Sequence, residues 1–397
     1  MTIDTAVVLA GGEGRRLRPL TKNRPKPLLP AGNRPILEYV LDTLVDAAVD
    51  RIVLVVGYKR DRVQEHFGST YREIPIEYAV QRKELGSGHA LLQAREHVDG
   101  PMLVCNGDRV IDPAIVADVA RAFADREEPT LAVMEHADAE TFGAVRLDGD
   151  RVTELVEKPS AGEYRLINAG VYAFTPEVFD ELAETPKREG ELDLTAAISR
   201  RIDEDRPMWG VRTDGLWADA TFPWDLLFIT RRVLHTDRIT EPETDDTLHV
   251  APSALVHPDA TLRAPLVVGP DCEVGPNAVV GPDAALGRNV TVGANATVER
   301  SVLDADTRVG AGSTLVECVT GEDVVLGPDT TVPGGPADVA LDDRVYRDQN
   351  LGAVFADRVH ARGGVTAEPG ALVGPNVTIG TGVPVSGRIT EGSEVVR

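Results

Sequence analysis

The stretch VGPDCEVGPNAVVGPDAALGRNVTVGANATVERSV, residues 268–302, repeats with a period of six. Each hexad has one aliphatic residue, a second small or aliphatic residue four positions later and, in five hexads, a glycine directly after the first position. This pattern predicts one short strand and one tight corner per hexad, stacked so that successive turns bury a continuous core. The sequence therefore predicts a parallel β-helix. The repeated positions are Val268, Val274, Val280, Leu286, Val292 and Val298, then Cys272, Ala278, Ala284, Val290, Ala296 and Val302, with Gly269, Gly275, Gly281, Gly287 and Gly293.

The hexads resemble the left-handed β-helix of hexapeptide-repeat proteins. The repeat weakens after Val302, breaks across residues 333–350 and returns at Gly374 and Gly380. We expect the break to be an ordered loop that projects from the coil. The resemblance implies a homo-oligomer, a trimer or a multiple of one, because such folds cover their exposed faces by association.

Residues 236–249, TDRITEPETDDTLH, carry a charge run without apolar periodicity. We interpret them as a linker between a first domain at 1–235 and a β-helix domain at 250–397. The first domain alternates short apolar runs with helical patterns, which favours an α/β fold with a mostly parallel sheet. A helix is predicted from Pro35 to Ala48, with Ile36, Val40, Leu44 and Ala48 as its apolar stripe. The predicted strands are Thr5 to Leu9, Ile52 to Val56, Ile76 to Val80, Met102 to Cys105 and Thr130 to Met134.

Composition excludes several classes of function. The net charge of −23 over 397 residues argues against a nucleic-acid partner, because such binding needs a basic face. No 18-residue apolar run or basic leader is present, so we expect no membrane segment and a cytoplasmic protein. Three scattered cysteines without CxxC spacing agree with a reducing compartment. Six lysines stand beside 35 arginines in this acidic chain, a balance that suits the salt-loaded cytoplasm of a halophile.

A second distinctive segment, GGEGRRLRPLTKNRPKPLLP at residues 11–30, follows the first predicted strand. Its six basic residues and one acid give a local charge of +5 in an acidic chain. Glycines at the end of a parallel strand let backbone N–H groups approach a phosphate, which basic side chains then neutralise. Leu17 excludes a dinucleotide fingerprint beginning at Gly12, and no Gly-Lys-Ser/Thr follows to make a P-loop.

The segment resembles the signature of the sugar-1-phosphate nucleotidylyltransferases, through Gly12, Gly14, Arg16, Leu17, Pro25, Lys26 and Pro30. This resemblance implies a Rossmann-like first domain that joins a nucleoside triphosphate to a sugar phosphate and releases pyrophosphate. It also implies catalytic roles for Arg16 and Lys26. The nucleotide would be bound by Leu9, Ala10, Gly11, Gly12 and Gly14.

Other segments resemble the same family. In QRKELGSGHA, Gln81, Gly86 and Ser87 would bind the pyrimidine base and its nucleotide. Asp108 in NGD and Asp219 in WADATF would hold Mg²⁺, which prefers carboxylate oxygens. The implied sugar-phosphate ligands are Gly143, Glu157, Lys158 and Asn168, with Lys158 also catalytic.

Some choices stay open at this stage. Gln81 can pair with the edge that uracil and thymine share, so UTP and dTTP are both expected, with glucose-1-phosphate or N-acetylglucosamine-1-phosphate. A bifunctional enzyme that also acetylates glucosamine-1-phosphate with acetyl-CoA in its β-helix is an alternative, although no lysine follows Lys187. A non-catalytic regulatory or scaffold subunit is another. Arg15 and Thr221-Phe222 depart from the family pattern.

Overall fold

The computed structural model describes residues 3–160, 164–342 and 344–396. These residues form two compact units. The first unit contains the chain up to Glu13 together with Ile36–Ala218, and the second contains Gly14–Pro35 and the chain from Asp219 onward. An α/β unit and a parallel β-helix confirm the predicted fold class. The domain limits at residues 235 and 250 stay a prediction, and nothing in the hexad pattern indicates that residues 14–35 group with the second unit.

Strands before the β-helix are short and mostly buried. They are β1 (Thr5–Ala10), β2 (Pro30–Ala31), β3 (Arg34–Pro35), β4 (Arg51–Val56), β5 (Thr70–Tyr71), β6 (Ile74–Val80), β7 (Met102–Asn106), β8 (Arg109–Ile111), β9 (Thr130–Glu135), β10 (Gly143–Asp148), β11 (Arg151–Glu157), β12 (Leu166–Phe174), β13 (Trp209–Arg212) and β14 (Trp217–Asp219).

A ten-stranded sheet in the order β10-β11-β13-β9-β12-β7-β1-β4-β6-β5 forms the centre of the first unit. Strands β6, β4, β1 and β7 are parallel, while β12 runs antiparallel to β7 and β9. All five strands predicted from apolar runs are present, each longer by one or two residues. Since the parallel strands share a direction, their carboxyl ends lie at one edge, where open α/β sheets bind ligands.

Seven helices accompany these strands in the described part of the chain. They are α1 (Ile36–Asp46), α2 (Arg60–Phe67), α3 (Ser87–Leu92), α4 (Pro113–Arg126), α5 (Val178–Glu184), α6 (Leu194–Asp203) and α7 (Asp225–Val233). Within the described ranges, none is both long and apolar enough to span a bilayer.

Helix α1 buries Ile36, Val40 and Leu44 completely, as its stripe predicts. It ends at Asp46, earlier than predicted, because Ala48 adopts a left-handed conformation with φ of 56°. Ala48 is exposed, so its inclusion in the buried stripe was wrong.

Three parallel sheets form the faces of the β-helix. The first contains β15 (Glu243–Asp245), β16 (Leu248–Val250), β19 (Leu266–Val268), β22 (Ala284–Leu286), β25 (Val302–Leu303), β28 (Cys318–Thr320), β33 (Ala353–Phe355), β36 (Ala371–Val373) and β39 (Arg388–Ile389), of which β15 alone is antiparallel to its neighbour. The second contains β17 (Leu255–Val256), β20 (Glu273–Val274), β23 (Thr291–Val292), β26 (Arg308–Val309), β29 (Val325–Leu326), β34 (His360–Ala361), β37 (Thr378–Ile379) and β40 (Glu394–Val395). The third contains β18 (Thr261–Leu262), β21 (Val279–Val280), β24 (Thr297–Glu299), β27 (Thr314–Val316), β30 (Thr331–Val332), β35 (Thr366–Ala367) and β38 (Pro384–Val385).

The hexad positions form the core of this β-helix. Both aliphatic series predicted from residues 268–302 are at most 2% exposed. The predicted linker also contributes to the coil, because β16 pairs in parallel with β19 through Leu248 and Leu266. Its charge run therefore conceals the first strand of the β-helix.

Two one-residue deletions, one in each of two successive coils, explain why the repeat weakens after Val302. Paired residues are 18 positions apart between Val268 and Leu286 but 17 apart between Leu286 and Leu303. The 17-residue spacing continues from the pair of Val302 and Val319 to that of Leu315 and Val332, so the next coil lacks a residue as well. Each missing residue shortens a corner, so the strands keep their register although the period in the sequence shifts.

The predicted ordered loop at 333–350 contains an antiparallel hairpin of β31 (Ala337–Leu341) and β32 (Arg344–Gln349). After it, Val319 pairs with Val354, 35 positions along the chain, and the coil resumes in register. The insertion is accommodated at a corner without disturbing the stack.

The cysteines are free and buried. Burial raises the pKa of Cys105 to about 12 and that of Cys272 to about 11, and it raises the pKa of Cys318 as well. All three therefore stay protonated near neutral pH and pack as small apolar side chains.

Arg24 joins the segment 14–35 to the β-helix. Its guanidinium lies 2.5 Å from Asp304 Oδ2, 3.1 Å from Glu322 Oε1 and 3.4 Å from Asp357 Oδ1. Burial alone would lower the pKa of Arg24, but the three carboxylates outweigh burial and raise that pKa above its ordinary value. The side chain is 6% exposed and remains cationic.

We expect Arg24→Met to lower the free energy of unfolding by about 3–5 kcal/mol, because the variant leaves buried carboxylates without their counter-charge. Arg121→Met is the control, since Arg121 pairs with Asp118 on the solvent face of α4 and its side chain is 71% exposed. Such surface pairs contribute about 0–1 kcal/mol. Denaturant unfolding of both variants measures the difference. Equal stability of the two variants would show that the Arg24 cluster is not a buried ion network.

Candidate functional site

Two glycines, Gly11 after β1 and Gly57 after β4, approach each other closely where the chain turns. Ala10 is buried, and Leu9 accepts a hydrogen bond from Gly107 N at 2.9 Å. A Cβ placed on Gly57 would lie 2.6 Å from Gly11 O, so a larger residue would force this turn open. Gly12 is exposed, with no heavy atom within 4 Å of a Cβ placed on it. The backbone after β1 is therefore accessible at the carboxyl edge of the sheet.

Gln81 lies at the end of β6, beside this turn. Its Nε2 donates to Gly86 O and bonds to His89 Nδ1, each at 3.0 Å. A Cβ placed on Gly11 would lie 2.9 Å from Gln81 Oε1. These contacts hold the Gln81 amide in one orientation, with the side chain only 5% exposed.

Sequence reasoning missed His89. Burial, with a smaller contribution from Lys187, lowers the pKa of His89, which favours the neutral ring. A neutral ring leaves Nδ1 as the acceptor that the Gln81 amide needs. The signal was its place three residues after Gly86, in the first turn of α3.

Gly86 and Ser87 attach this turn to helix α6. Gly86 has φ of 94°, and a Cβ there would lie 2.5 Å from Leu192 O. Ser87 Oγ accepts a hydrogen bond from Leu194 N at 3.0 Å. Ser87 thus has a structural partner in addition to its predicted nucleotide contact.

Asp108 follows β7 at the same edge of the sheet, after Gly107. A Cβ placed on Gly107 would lie 2.9 Å from Val8 Cγ1. Glycine there lets the chain turn close over β1, and this turn places Asp108 between β7 and β8.

Three of the predicted sugar ligands lie together. A Cβ placed on Gly143 would lie 3.1 Å from Glu157 Oε2 and 3.6 Å from Asn168 Cβ. Asn168 Nδ2 donates to Tyr172 Oη at 2.7 Å, and Asn168 Oδ1 accepts from Gly170 N at 3.0 Å. The amide is buried and fixed at both ends.

Lys158 joins this group from the end of β11. Its backbone N–H donates to Phe142 O at 3.0 Å, and its φ of 46° is unusual for a residue other than glycine. Its ammonium lies 3.9 Å from Glu157 Oε1 with the side chain 58% exposed. The left-handed backbone conformation of Lys158 therefore places its solvated ammonium group beside Glu157.

Arg109 was not identified from the sequence. Its guanidinium lies 4.9 Å from the centroid of the Trp217 ring, and its Nη1 donates to Asn168 O at 3.5 Å. Trp217 Nε1 donates to Ala169 O at 2.8 Å. These contacts support the backbone around Asn168. Its position directly after NGD was the available signal.

In the second unit, Lys26 and Asp219 form an ion pair, with 2.8 Å between Nζ and Oδ1. Gly14, with φ of 65°, makes room for it, because a Cβ there would lie 2.9 Å from Lys26 Cβ. Asp219 Oδ2 also accepts from Thr221 Oγ1 at 2.9 Å. The segment 11–30 thus places a largely buried cation on a carboxylate predicted to hold a metal.

Asp225 fixes the backbone after Asp219 and was also missed. Its Oδ2 accepts from Thr221 N at 2.8 Å and from Phe222 N at 2.7 Å. Burial raises the pKa of Asp225 to about 6, helped by the charge of Asp219 and opposed by these hydrogen bonds and by Lys26. The signal was an acid at the start of α7, four residues after Thr221.

Arg16 is exposed at the start of the segment 14–35 and packs over an aromatic ring. Its guanidinium carbon lies 5.6 Å from the centroid of Phe222. Phe222 is one of the three residues, with Arg15 and Thr221, that depart from the family pattern. The structure gives it a partner among the predicted catalytic residues.

The predicted site residues therefore fall into two groups. The first unit brings together Gly11 with Gln81 and Gly86, and Gly143 with Glu157, Lys158 and Asn168. The second unit holds Gly14, Arg16, Lys26 and Asp219. The roles of these residues in binding and catalysis stay predictions.

Comparison with known proteins supports the family that the sequence motifs indicate. Residues 5–234 match the family described as Nucleotidyl transferase, and residues 262–366 match the GMPPB C-terminal domain. The bifunctional protein GlmU of Methanococcus maripaludis is 37% identical over 235 residues, which are 58% of this chain and 54% of that protein. The chain thus spans about half the length of its GlmU relatives. UTP–glucose-1-phosphate uridylyltransferase AglF of Haloferax volcanii is 36% identical over 55% of this chain and 92% of its own.

Solved structures share the fold. UDP-glucose pyrophosphorylase from Acinetobacter baumanii has a TM-score of 0.53 at 20% identity, over 58% of this chain and 93% of its own. A UDP-glucose pyrophosphorylase complexed with UDP-glucose has a TM-score of 0.52 at 22% identity, over 58% and 97%. At these identities the likeness extends to the fold alone.

We expect Asp225→Asn to remove a pH-dependent part of the stability. Because the folded pKa of about 6 lies above the ordinary 3.8, the unfolded chain releases this proton at lower pH than the folded one. The carboxyl therefore contributes most below about pH 4, and its contribution falls until about pH 6 and then stays constant.

Denaturant unfolding of both proteins across this range, in EDTA, gives the wild-type minus variant difference. That difference should decline from about pH 4 to 6 and flatten above it. A difference that does not vary with pH would contradict the raised pKa.

Proposed function

The chain belongs to the nucleotidyl transferase family, and on this premise we propose that it is a sugar-1-phosphate nucleotidylyltransferase. The proposed substrates are UTP or dTTP with glucose-1-phosphate or N-acetylglucosamine-1-phosphate. The products are the nucleoside diphosphate sugar and pyrophosphate. The contact between Lys26 and Asp219 carries the proposal, since it joins the glycine-rich segment to a carboxylate suited to a metal-bound phosphate. The name of AglF supports UTP and glucose-1-phosphate as the first pair to test.

In the proposed reaction, a phosphate oxygen of the sugar-1-phosphate attacks the α-phosphorus of the nucleotide. The new P–O bond forms as the bond to the bridging oxygen breaks, and pyrophosphate leaves with that electron pair. No covalent enzyme intermediate is needed, so the protein acts by positioning and charge neutralisation. Arg16 and Lys26 stabilise the charge that develops on the leaving pyrophosphate, while Lys158 holds the attacking phosphate.

The two substrates use different parts of the first unit. The fixed amide of Gln81 and the backbone at Gly86 bind the pyrimidine edge, with Gly11 and Gly12 at the phosphates. Because uracil and thymine share the edge that Gln81 reads, both nucleotides are proposed. Gly143, Glu157 and Asn168 bind the sugar, in agreement with their mutual contacts. The remaining proposed nucleotide contacts are Leu9, Ala10, Gly14 and Ser87.

Asp108 and Asp219 would hold Mg²⁺, which would neutralise charge on the α-phosphate when bound. Among the described residues, no cluster of three or more His, Cys, Asp or Glu side chains is arranged for a metal. Two aspartates would be a sufficient protein contribution, because Mg²⁺ usually takes one or two carboxylates and completes its shell with water and substrate phosphates.

The assembly and setting of the enzyme are also proposals. The β-helix supports a homo-oligomer, a trimer or a multiple of one. The acidic, arginine-rich composition supports a salt-adapted cytoplasmic enzyme without a nucleic-acid partner.

Pyrophosphate release from UTP and dTTP with a panel of sugar-1-phosphates tests the function directly. We expect Mg²⁺-dependent release with at least one pair, abolished by EDTA. Failure with every pair, in a folded protein at low and high salt, would favour a non-catalytic subunit instead.

We expect Arg16→Ala to lower kcat by about 10²- to 10³-fold, the usual effect of losing one preorganised charge contact. Arg62→Ala on the exposed surface of α2 is the matched control and should retain the wild-type rate. Steady-state kinetics of both variants provide the test. Wild-type turnover in Arg16→Ala would refute the role of this side chain.

A further inference from the structure

The hairpin inserted in the β-helix contributes an aromatic side chain to the surroundings of Phe222. The Tyr346 ring on β32 lies 4.6 Å from the Phe222 ring and 5.5 Å from the Trp224 ring, centroid to centroid. Phe222 and Trp224 are themselves stacked at 4.7 Å and 13°. Three rings from segments more than 100 residues apart in sequence therefore form one cluster.

This cluster is in contact with Arg16. The Phe222 ring packs under the Arg16 guanidinium at 5.6 Å, a distance at which the ring face attracts a cation. The backbone of Phe222 is fixed separately by its hydrogen bond to Asp225. The orientation of the Phe222 ring depends instead on Tyr346 and Trp224, which pack against it.

Tyr346 faces the aromatic cluster, whereas its two neighbours on β32 do not. Side chains on a strand alternate between its two faces, so Val345 and Arg347 point away from the face that Tyr346 uses. Val345 is 61% exposed and Arg347 is exposed as well, whereas Tyr346 is partly buried. The opposite strand anchors the hairpin through Val339, which is fully buried. Tyr346 is thus directed at the aromatic cluster while its two neighbours on the strand are exposed.

We propose that Tyr346 is a positioning residue for nucleotidyl transfer, which acts on Arg16 through Phe222. The inference rests on the proposed function, because it assigns Arg16 to the charge that develops on the leaving pyrophosphate. Since that charge is largest in the transition state, loss of positioning lowers kcat and leaves KM nearly unchanged. The β-helix then contributes to the reaction through a side chain of its inserted hairpin.

Kinetics of Tyr346→Ala test this inference. We expect kcat to fall by about 10- to 100-fold, the scale expected for a catalytic group displaced by up to 1 Å. Tyr346→Phe keeps the ring and should keep the wild-type rate, while Tyr346→Leu should resemble Tyr346→Ala. Val345→Ala and Arg347→Ala are the matched controls on the same strand and should leave kcat unchanged.

A double-mutant cycle separates positioning from a general structural effect. In an Arg16→Ala background, Tyr346→Ala should lower kcat little further, because the group that it positions is already gone. Equal falls in both backgrounds would overturn the inference, and so would a wild-type kcat in Tyr346→Ala. If Tyr346→Ala does not fold, Tyr346→Leu takes its place in the cycle. A wild type that releases no pyrophosphate refutes the proposed function and this inference together, whereas wild-type turnover with an unaffected Tyr346 variant refutes the inference alone.

Discussion

The ion cluster around Arg24 determines to which part of the molecule the glycine- and arginine-rich segment belongs. A guanidinium that is almost completely buried needs its counter-charges, because an unpaired charge out of water costs several kcal/mol. Those counter-charges are Asp304, Glu322 and Asp357, which come from three corners of the β-helix. Residues 14–35 are consequently tied to the β-helix although they follow the first strand of the sheet. Arg24 lies between Arg16 and Lys26 in sequence, so the anchor and the proposed catalytic cations share one short segment.

The attachment of residues 14–35 to the β-helix changes how the function of the β-helix is interpreted. The sequence predicts an assembly platform, separate from the chemistry of the first domain. In the structure the unit that contains the β-helix also contains Lys26 and Asp219, whereas the proposed base and sugar contacts at Gln81 and Asn168 belong to the other unit. The nucleotidyl transferase family match covers residues 5–234, and the three partners of Arg24 lie beyond it, in the β-helix.

The sequence predicted the elements whose burial follows a simple period. Five strands and the core of the β-helix were found because their apolar residues recur at a regular spacing, and the predicted glycines at 11 and 86 fit turns too tight for a Cβ. Contacts that do not recur at a regular spacing could not be predicted from the sequence. The partners of Arg24 lie about 300 positions away, and each of the two 17-residue coils lacks one corner residue. His89 and Asp225 act by orienting Gln81 and the backbone of Phe222, a role that depends on distances and leaves no motif.

The two corner deletions and the hairpin insertion show how this β-helix tolerates change. Its strands are held by neighbours in the coils above and below, so a corner can lose one residue or gain a whole hairpin while each sheet stays aligned. The stacked coils therefore form a scaffold on which corner loops can be exchanged. Protein engineers can use the same site: a different hairpin grafted between Val332 and Leu351 would present new side chains to the aromatic cluster without a redesign of the core. Divergence among related enzymes can follow the same route, with the scaffold of coils conserved and the projecting loop free to vary.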